Sequence, residues 1–245
     1  MFNAVRLNKA SQQIVSQIRA LIFEGRLSPG DKLPSESALL AQFHVSKQTL
    51  KEALRALEYM GLIDMRKGVT GGAFIVEVDT AVIREVLANF LYFKNLSIRN
   101  LSEVRKIVEP YAAGMAARSI SEKDLQTLGD LVKSSKRRQE SRTYSTEITN
   151  VDLEFHRVIA NGTNNPILVL MVDFVETVMA DLKKVVKPGA AFAAEVLRAH
   201  ENIYEAIAAK DEERAASEMQ KHILDVEENL AKLEKKVELW KGLKE

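Results

Sequence analysis

Residues 45–54 read VSKQTLKEAL, a pattern that predicts the recognition helix of a helix-turn-helix. Its apolar residues recur three and four positions apart, so Leu50 and Leu54 can face a core while the first turn stays polar and exposed. Lysine and hydroxyl groups suit phosphate contacts, and an amide can reach base edges. The same spacing also fits an amphipathic helix with a solvated polar face. As a recognition helix, its candidate DNA contacts are Ser46, Lys47, Gln48, Thr49 and Lys51.

The residues on either side complete a winged domain. Upstream, Ser35 follows Pro34 and can form the N-cap of a helix that begins after it. The chain between that helix and Ser46 is short enough only for a tight turn. Downstream, residues 62–65 and 73–76 flank a glycine-rich turn, which predicts a two-stranded hairpin. The predicted order is helix, helix, turn, helix, hairpin. The further candidate DNA contacts are Ser35 and, at the hairpin tip, Arg66, Lys67 and Gly68.

Beyond Asp79 the apolar residues recur almost entirely at helical spacing. The predicted fold class is therefore mainly α, with an N-terminal winged helix-turn-helix and small β-hairpin followed by an all-α antiparallel bundle of about seven helices. We expect two domains, 1–77 and 78–245. The predicted helices of the second domain are 79–94, 99–119, 121–141, 145–161, 164–187, 190–209 and 211–243.

Composition narrows the class of protein. Of the 245 residues, 46% are hydrophobic and 28% are charged, as in ordinary globular proteins. There is no cysteine, which excludes disulfides, thiol nucleophiles and cysteine-based zinc sites. No apolar run is long enough to span a membrane and the N-terminus lacks a signal-peptide core, so we expect a cytoplasmic protein.

Charge is distributed unevenly along the chain. Residues 1–76 contain 10 basic and 6 acidic residues, a net charge of +4, and the remainder carries −3. A basic head on an acidic body suits a polyanionic partner, although an imbalance of this size also arises by chance.

Three of the four histidines lie in the predicted helical body, where they form a candidate metal site with one aspartate. Asp152 and His156 are four residues apart, so both project from one helix face, and His200 and His222 lie on two other predicted helices. One carboxylate and three imidazoles suit Zn²⁺, Ni²⁺ or Mn²⁺ and leave coordination positions open. The alternative is three unrelated, hydrogen-bonded histidines.

The N-terminal segments LSPGDKLPSE at 27–36, SKQTL at 46–50 and GGAFI at 71–75 resemble the winged helix-turn-helix of the GntR family, along about 65 residues. The resemblance implies a homodimer that binds a pseudo-palindromic operator in double-stranded DNA. Relatives such as FadR carry arginines where this chain has Ser37, Lys47 and Lys51. Lysine can still meet a phosphate but does not offer a planar fork to guanine, so we expect weaker or different operator specificity.

The segments DLEFH at 152–156, AHENIYEAI at 199–207 and MQKH at 219–222 resemble the FCD effector-binding domain of the FadR subfamily. In metal-containing members the matching residues bind the metal, which implies that role for Asp152, His156, His200 and His222. Residues 101–109, LSEVRKIVE, resemble the first helix of that domain, whose arginine grips an effector carboxylate. The resemblance assigns this role to Arg105, and the alternative is a surface pair between Arg105 and Glu109.

These expectations describe a ligand-responsive transcription regulator rather than an enzyme. The leading hypothesis is a repressor that senses a small carboxylate through a metal-containing pocket in the helical domain. The alternatives are a regulator for which the metal itself is the signal, a purely structural metal, and a metal-dependent hydrolase. No residue spacing identifies the general base that a hydrolase requires.

Overall fold

The computed structural model describes residues 9–68, 70–78, 97–140 and 146–234. It divides into two compact units, Met1–Val86 and Leu87–Glu245, each of which is considered by itself. The domain boundary expected at 77/78 stays a prediction. The structure divides the chain at 86/87, and most of the residues between these two boundaries lie outside the described part of the chain. The helix predicted for 79–94 also lies outside the described residues.

The first unit contains three helices and a hairpin, in the predicted order. The helices are α1 (Lys9–Phe23), α2 (Glu36–Phe43) and α3 (Lys47–Tyr59), and the strands are β1 (Ile63–Arg66) and β2 (Gly72–Ile75). The strands pair antiparallel, with Ile63 opposite Ile75 and Arg66 opposite Gly72. This arrangement confirms the helix-turn-helix with its two-stranded wing.

Local capping explains where α2 and α3 begin. The Ser35 hydroxyl accepts from the backbone N–H of Ala38, and the Ser46 hydroxyl accepts from that of Thr49, each at 3.2 Å. Each bond satisfies a backbone donor that the helix leaves free at its start. His44 takes the left-handed conformation, with φ of 51°, and so closes the short turn between the two helices.

The core of the first unit lies under α3. Leu50, Ala53 and Leu57 are completely buried, and Ile14 and Ile18 of α1 belong to the same apolar cluster. Because α3 buries these residues on one side, its opposite side remains in water. Lys47, Gln48 and Lys51 are exposed there.

The second unit is entirely helical over its described residues, which confirms the predicted helical domain. Asn100 and Ser97 form a capping box at its first helix, and Asn165 caps the helix that begins at Pro166. The observed ends lie within two residues of the predictions, except that residues 235–243 are outside the described part of the chain. The helices are α4 (Ile98–Ser119), α5 (Glu122–Glu140), α6 (Thr146–Asn161), α7 (Pro166–Val186), α8 (Ala190–Ala208) and α9 (Glu212–Glu234).

Helices α4 and α9 pack closely in antiparallel directions. Lys106 of α4 donates to Glu227 of α9 at 2.8 Å, and near the other end of α4 a Cβ added to Gly114 would lie 3.3 Å from the Glu212 carbonyl oxygen. Small residues on α4, including Ala112 and Ala116, allow this approach and are fully buried. Within the described residues, no helix combines the length and apolarity needed to cross a membrane.

Candidate metal centre and nucleic-acid interface

The exposed start of α3 collects the predicted recognition residues on one surface. Lys47 Nζ lies 3.0 Å from Glu36 Oε1, and Gln48 donates to Glu52 at 3.1 Å. Both pairs are exposed, so they contribute little stability and can open in favour of a nucleic-acid partner. The Ser46 hydroxyl is engaged in capping α3, and Lys51 is exposed one turn further along.

The tip of the wing carries the other predicted basic residues. Arg66 stacks on the Phe74 ring with its guanidinium carbon 4.3 Å from the ring centroid, and it donates to Asp64 at 3.0 Å. Lys67 is exposed, and Gly68 follows it with φ of +104°, a conformation that favours glycine. These contacts keep Arg66 beside the hairpin, and about half of its side chain remains exposed.

Lys32 is a wing residue that the sequence did not suggest. It forms an isolated bridge with Phe74, and its ammonium donates to the Thr70 carbonyl at 3.0 Å. The alternation from Lys32 to Leu33, exposed and then buried, is a short strand signal, but a single bridging residue is too little to recognise from sequence.

In the second unit, α6, α8 and α9 bring the three predicted histidines together. His156, His200 and His222 are all buried, and one ring nitrogen from each lies within 4.8 Å of the other two. The ring of His200 stacks on Phe155, with the centroids 3.9 Å apart, which fixes its plane. The three histidines therefore form one buried cluster.

The inward atoms of this cluster lack hydrogen-bond partners among the described residues. They are the Nε2 atoms of all three histidines and Oδ1 of Asp152, which lies 3.4 Å from His200 Nε2. Since buried polar atoms are nearly always paired, four unpaired donors and acceptors in one place call for a ligand. Imidazole nitrogens and a carboxylate oxygen fit a divalent transition metal.

Burial keeps two of the rings in the form that binds metal. It lowers the pKa of His200 to about 3, and it also lowers the pKa of His222 well below its usual value. Both rings are consequently neutral near pH 7, and a metal need not displace their protons.

Asp152 has a partner that sequence reasoning missed. The Lys183 ammonium, on α7, contacts its Oδ2 atom. Burial alone would raise the pKa of Asp152, but the Lys183 ammonium, followed by His200 and His156, holds it well below the usual range. Asp152 is therefore ionised, with one oxygen on Lys183 and the other toward the histidines.

Arg105 of α4 is fully buried, 0% exposed, and pairs with two carboxylates. Its Nε donates to Glu109 Oε1 at 2.6 Å and lies 2.6 Å from Glu176 Oε1. The Arg105–Glu109 pair thus exists inside the domain, so the surface alternative is wrong. Burial alone would lower the pKa of Arg105, but the charges of Glu109 and Glu176 outweigh burial and raise the pKa above its usual value.

The Nη1 and Nη2 atoms of Arg105 have no hydrogen-bond partner in the part of the chain that the structure describes. A guanidinium binds a carboxylate best through two parallel N–H groups. Arg105 therefore retains the donors needed to bind an anion although its Nε is already paired.

Glu109 links Arg105 to the histidine cluster. Its Oε2 lies 2.5 Å from His156 Nδ1, a carboxylate contact that holds the ring with Nε2 turned away from it. Burial would raise the pKa of Glu109, but Arg105 and then His156 keep it well below its usual value. Burial would likewise lower the pKa of His156, but the carboxylates of Glu176 and Glu109 raise it.

Glu176 completes the charged surroundings of Arg105. Burial, the largest influence on it, raises its pKa above the usual value. The i,i+4 spacing of Arg105 and Glu109 was the available signal for that pair. Glu176 and Lys183 had none, because they lie in α7, far away in sequence.

The sequence matches two family profiles that together cover most of the described chain. One, described as "Bacterial regulatory proteins, gntR family", matches residues 10–75, and the other, "FCD domain", matches residues 100–225. The first covers α1 to β2, and the second contains Arg105 and all four candidate metal ligands.

Named relatives agree with the profiles. The HTH-type transcriptional regulator LutR of Bacillus subtilis is 30% identical over 216 residues, 86% of this chain and 96% of LutR. The galactonate operon transcriptional repressor of Escherichia coli K12 is 31% identical over 168 residues, 66% of this chain and 70% of that protein. The solved structure of Streptococcus agalactiae GntR has the same fold, with a TM-score of 0.66 at 23% identity, covering 89% of this chain and 99% of that one.

A winged helix-turn-helix together with an effector-type helical domain defines the class of DNA-binding transcription regulators. The chain belongs to the GntR family and carries an FCD domain, so it is a transcription regulator and not an enzyme. Regulators of this family bind operator DNA and small-molecule effectors.

Acid should destabilise the chelator-treated protein through His200. Its pKa is about 3 in the fold and near 6.5 in the unfolded chain, so the unfolded chain binds more protons below pH 6.5. The free energy of unfolding therefore falls as the pH decreases from about 6.5 toward 3. In chelator-treated His200→Gln, urea unfolding across this range should show a shallower fall. An equal slope in both proteins would contradict the neutral, buried state of His200.

Proposed function

We propose that this regulator is a repressor that senses a small organic acid through a metal-containing pocket in its helical domain. The observation that carries the proposal is the convergence of unpaired, buried ring nitrogens beside an arginine that also retains unpaired donors. Neither the ring nitrogens nor the Arg105 Nη atoms have a hydrogen-bond partner within the described chain. The nitrogens can bind a metal ion, and the Nη atoms can bind a carboxylate.

The metal would be held by Asp152, His156, His200 and His222, and Zn²⁺, Ni²⁺ and Mn²⁺ all accept such donors. When bound, a divalent ion supplies open coordination positions that attract carboxylate and hydroxyl oxygens. Glu109 orients His156 in this proposal, and the neutral rings of His200 and His222 remain free to donate their lone pairs.

Arg105 would bind the carboxylate of the effector. Its Nε is already held by Glu109 and Glu176, so the guanidinium is fixed in place before the acid arrives. A pre-positioned cation loses little conformational freedom on binding, which favours affinity. The acid can then change operator affinity only by the difference in its binding to the two states of the protein.

Two relatives support a repressing role. The galactonate operon protein of Escherichia coli and NanR of Klebsiella aerogenes, 26% identical to this chain, are both called transcriptional repressors. The name of the first also refers to galactonate, a sugar acid, which combines a carboxylate with hydroxyl groups.

The DNA-binding domain, 1–77 in this proposal, would place the start of α3 in the major groove and the wing on the backbone or minor groove. Its lysines would act as point charges on phosphates, which gives affinity without a guanine fork. Because bacterial DNA lies in the cytoplasm, a cytoplasmic location of this protein is part of the proposal. The proposed contacts are Ser35, Ser46, Lys47, Gln48, Thr49, Lys51, Arg66, Lys67 and Gly68.

A homodimer would let two such heads contact a pseudo-palindromic operator. The helical domain, 78–245 in this proposal, exposes Ile107 (76%) and Tyr111 (57%) one turn apart on α4. An apolar pair of this kind suits burial against a second copy, and the resemblance to the FadR subfamily implies the same oligomeric state.

The role of Lys51 can be tested with a mixed-sequence DNA duplex. Removing one phosphate contact should weaken binding and lower the slope of log Kd against log salt by about 0.9. Fluorescence anisotropy titrations of Lys51→Gln should show this change, and Arg26→Gln, which removes an exposed charge outside the proposed contacts, should not. An unchanged salt slope for Lys51→Gln would remove Lys51 from the interface.

The effector proposal is tested by thermal shifts with a panel of small mono-, di- and hydroxy-carboxylates. A ligand at one hundred times its Kd stabilises the folded state by about 2.7 kcal/mol, and we expect this shift to disappear after chelation. Arg105→Lys retains the buried charge but loses the paired N–H groups, so it should still bind metal and lose most of the acid-dependent shift.

Anisotropy with operator DNA should show the same acid releasing the wild-type protein. An acid-dependent shift that survives chelation would contradict the metal-containing pocket. Metal-dependent DNA binding without any acid effect would instead identify a regulator that senses the metal.

A further inference from the structure

Lys183 is a buried lysine in a helix whose one other lysine, Lys184, is exposed to water. It lies in the last turns of α7, 7% exposed, while the adjacent Lys184 is 45% exposed and pairs with Asp181 on the surface. Lysine is almost never fully buried unless it is paired, because its charge loses hydration. The partner of Lys183 is Asp152.

The two oxygens of Asp152 have different surroundings. Oδ2 contacts the Lys183 ammonium, whereas Oδ1 has no hydrogen-bond partner within the described residues and lies 3.4 Å from His200 Nε2. A carboxylate on an i,i+4 helix pair can rotate about its side-chain bonds. An ammonium on one oxygen restrains that rotation and leaves the other oxygen directed at the histidine nitrogens.

Helix α7 contributes no residue to the proposed metal ligands, but it supplies the counter-charges of both ends of the site. Glu176 lies against Arg105, and Lys183, two turns later on the same helix, lies against Asp152. On α7 the acidic residue faces a base and the basic residue faces an acid. Lys183 is therefore part of the buried site and not of the protein surface.

We infer that Lys183 is a positioning residue that holds Asp152 in the orientation in which Oδ1 can bind the metal. The inference rests on the proposed metal site. It assigns to α7 a role in metal affinity through Asp152, without direct contact between Lys183 and the ion. A hydrogen-bonded partner of a metal ligand typically changes metal affinity by about 10- to 100-fold.

An opposite effect is also physically possible, which makes the inference testable. An ammonium close to a cation site repels the ion, and a lysine that served only to neutralise Asp152 in the absence of metal would compete with it. Removing such a lysine would tighten metal binding, whereas removing a positioning residue weakens it.

The experiment compares full-length wild type, Lys183→Met, Lys183→Gln and Lys184→Met. Affinities for Zn²⁺, Ni²⁺ and Mn²⁺ are measured by competition with a chromophoric chelator. We expect Lys183→Met to bind the preferred metal about 10- to 100-fold more weakly than wild type. Lys183→Gln should recover part of the affinity because its amide can donate to Oδ2, and the surface variant Lys184→Met should match wild type.

A spectroscopic measurement separates positioning from a general loss of stability. The visible absorption of the Co²⁺-loaded protein reports the ligands around the ion, so it should change in Lys183→Met and return toward wild type in Lys183→Gln. Circular dichroism and binding to a DNA duplex establish that each variant is folded.

Equal or tighter metal binding by Lys183→Met would overturn the inference, as would an unchanged Co²⁺ spectrum. If Lys183→Met does not fold, the metal affinity of Lys183→Gln decides instead. A positioning role predicts that Lys183→Gln also binds metal more weakly than wild type. Failure of wild type to bind any of the three metals would overturn the proposed metal site itself, and the inference with it.

Discussion

The helical domain is organised around three buried imidazoles whose Nε2 atoms have no hydrogen-bond partner in the described chain. Each such atom costs about 1–3 kcal/mol if nothing binds it. Helices α6, α8 and α9 nevertheless direct all three to one place, and α6 adds a carboxylate one turn from its histidine. Apolar side chains would fill this volume at lower cost, and they do fill the neighbouring core around Ala112 and Ile203.

The charges around the imidazoles follow from the same constraint. A buried ion without a partner is strongly destabilising, and here each ion has one. Arg105 is balanced by Glu109 and Glu176, and Asp152 by Lys183. These pairs leave specific atoms unused, namely the Nη atoms of Arg105 and Oδ1 of Asp152. The pairing stabilises the charges and the unused atoms provide the capacity to bind, so one network serves both purposes.

Much of this organisation could be predicted from sequence because its signals are local. The start of α2 followed from its capping residue Ser35, and Asp152 with His156 showed the i,i+4 spacing of a shared face. Lys183 and Glu176 could not be found in that way, because their partners lie on other helices and α7 alone has the pattern of an ordinary amphipathic helix. The spacing of Arg105 and Glu109 was visible in the sequence, but it did not decide whether this pair is buried, since the same spacing occurs in exposed ion pairs.

We propose that the unpaired atoms of Asp152, His156, His200 and His222 form one metal site. The most direct test is a crystal structure of the protein loaded with Zn²⁺, with diffraction recorded on both sides of the zinc absorption edge. We expect one strong anomalous peak bounded by the three Nε2 atoms and Asp152 Oδ1. A zinc-loaded crystal with no peak among these residues, or with the ion held by Glu109 and Glu176 instead, would contradict it.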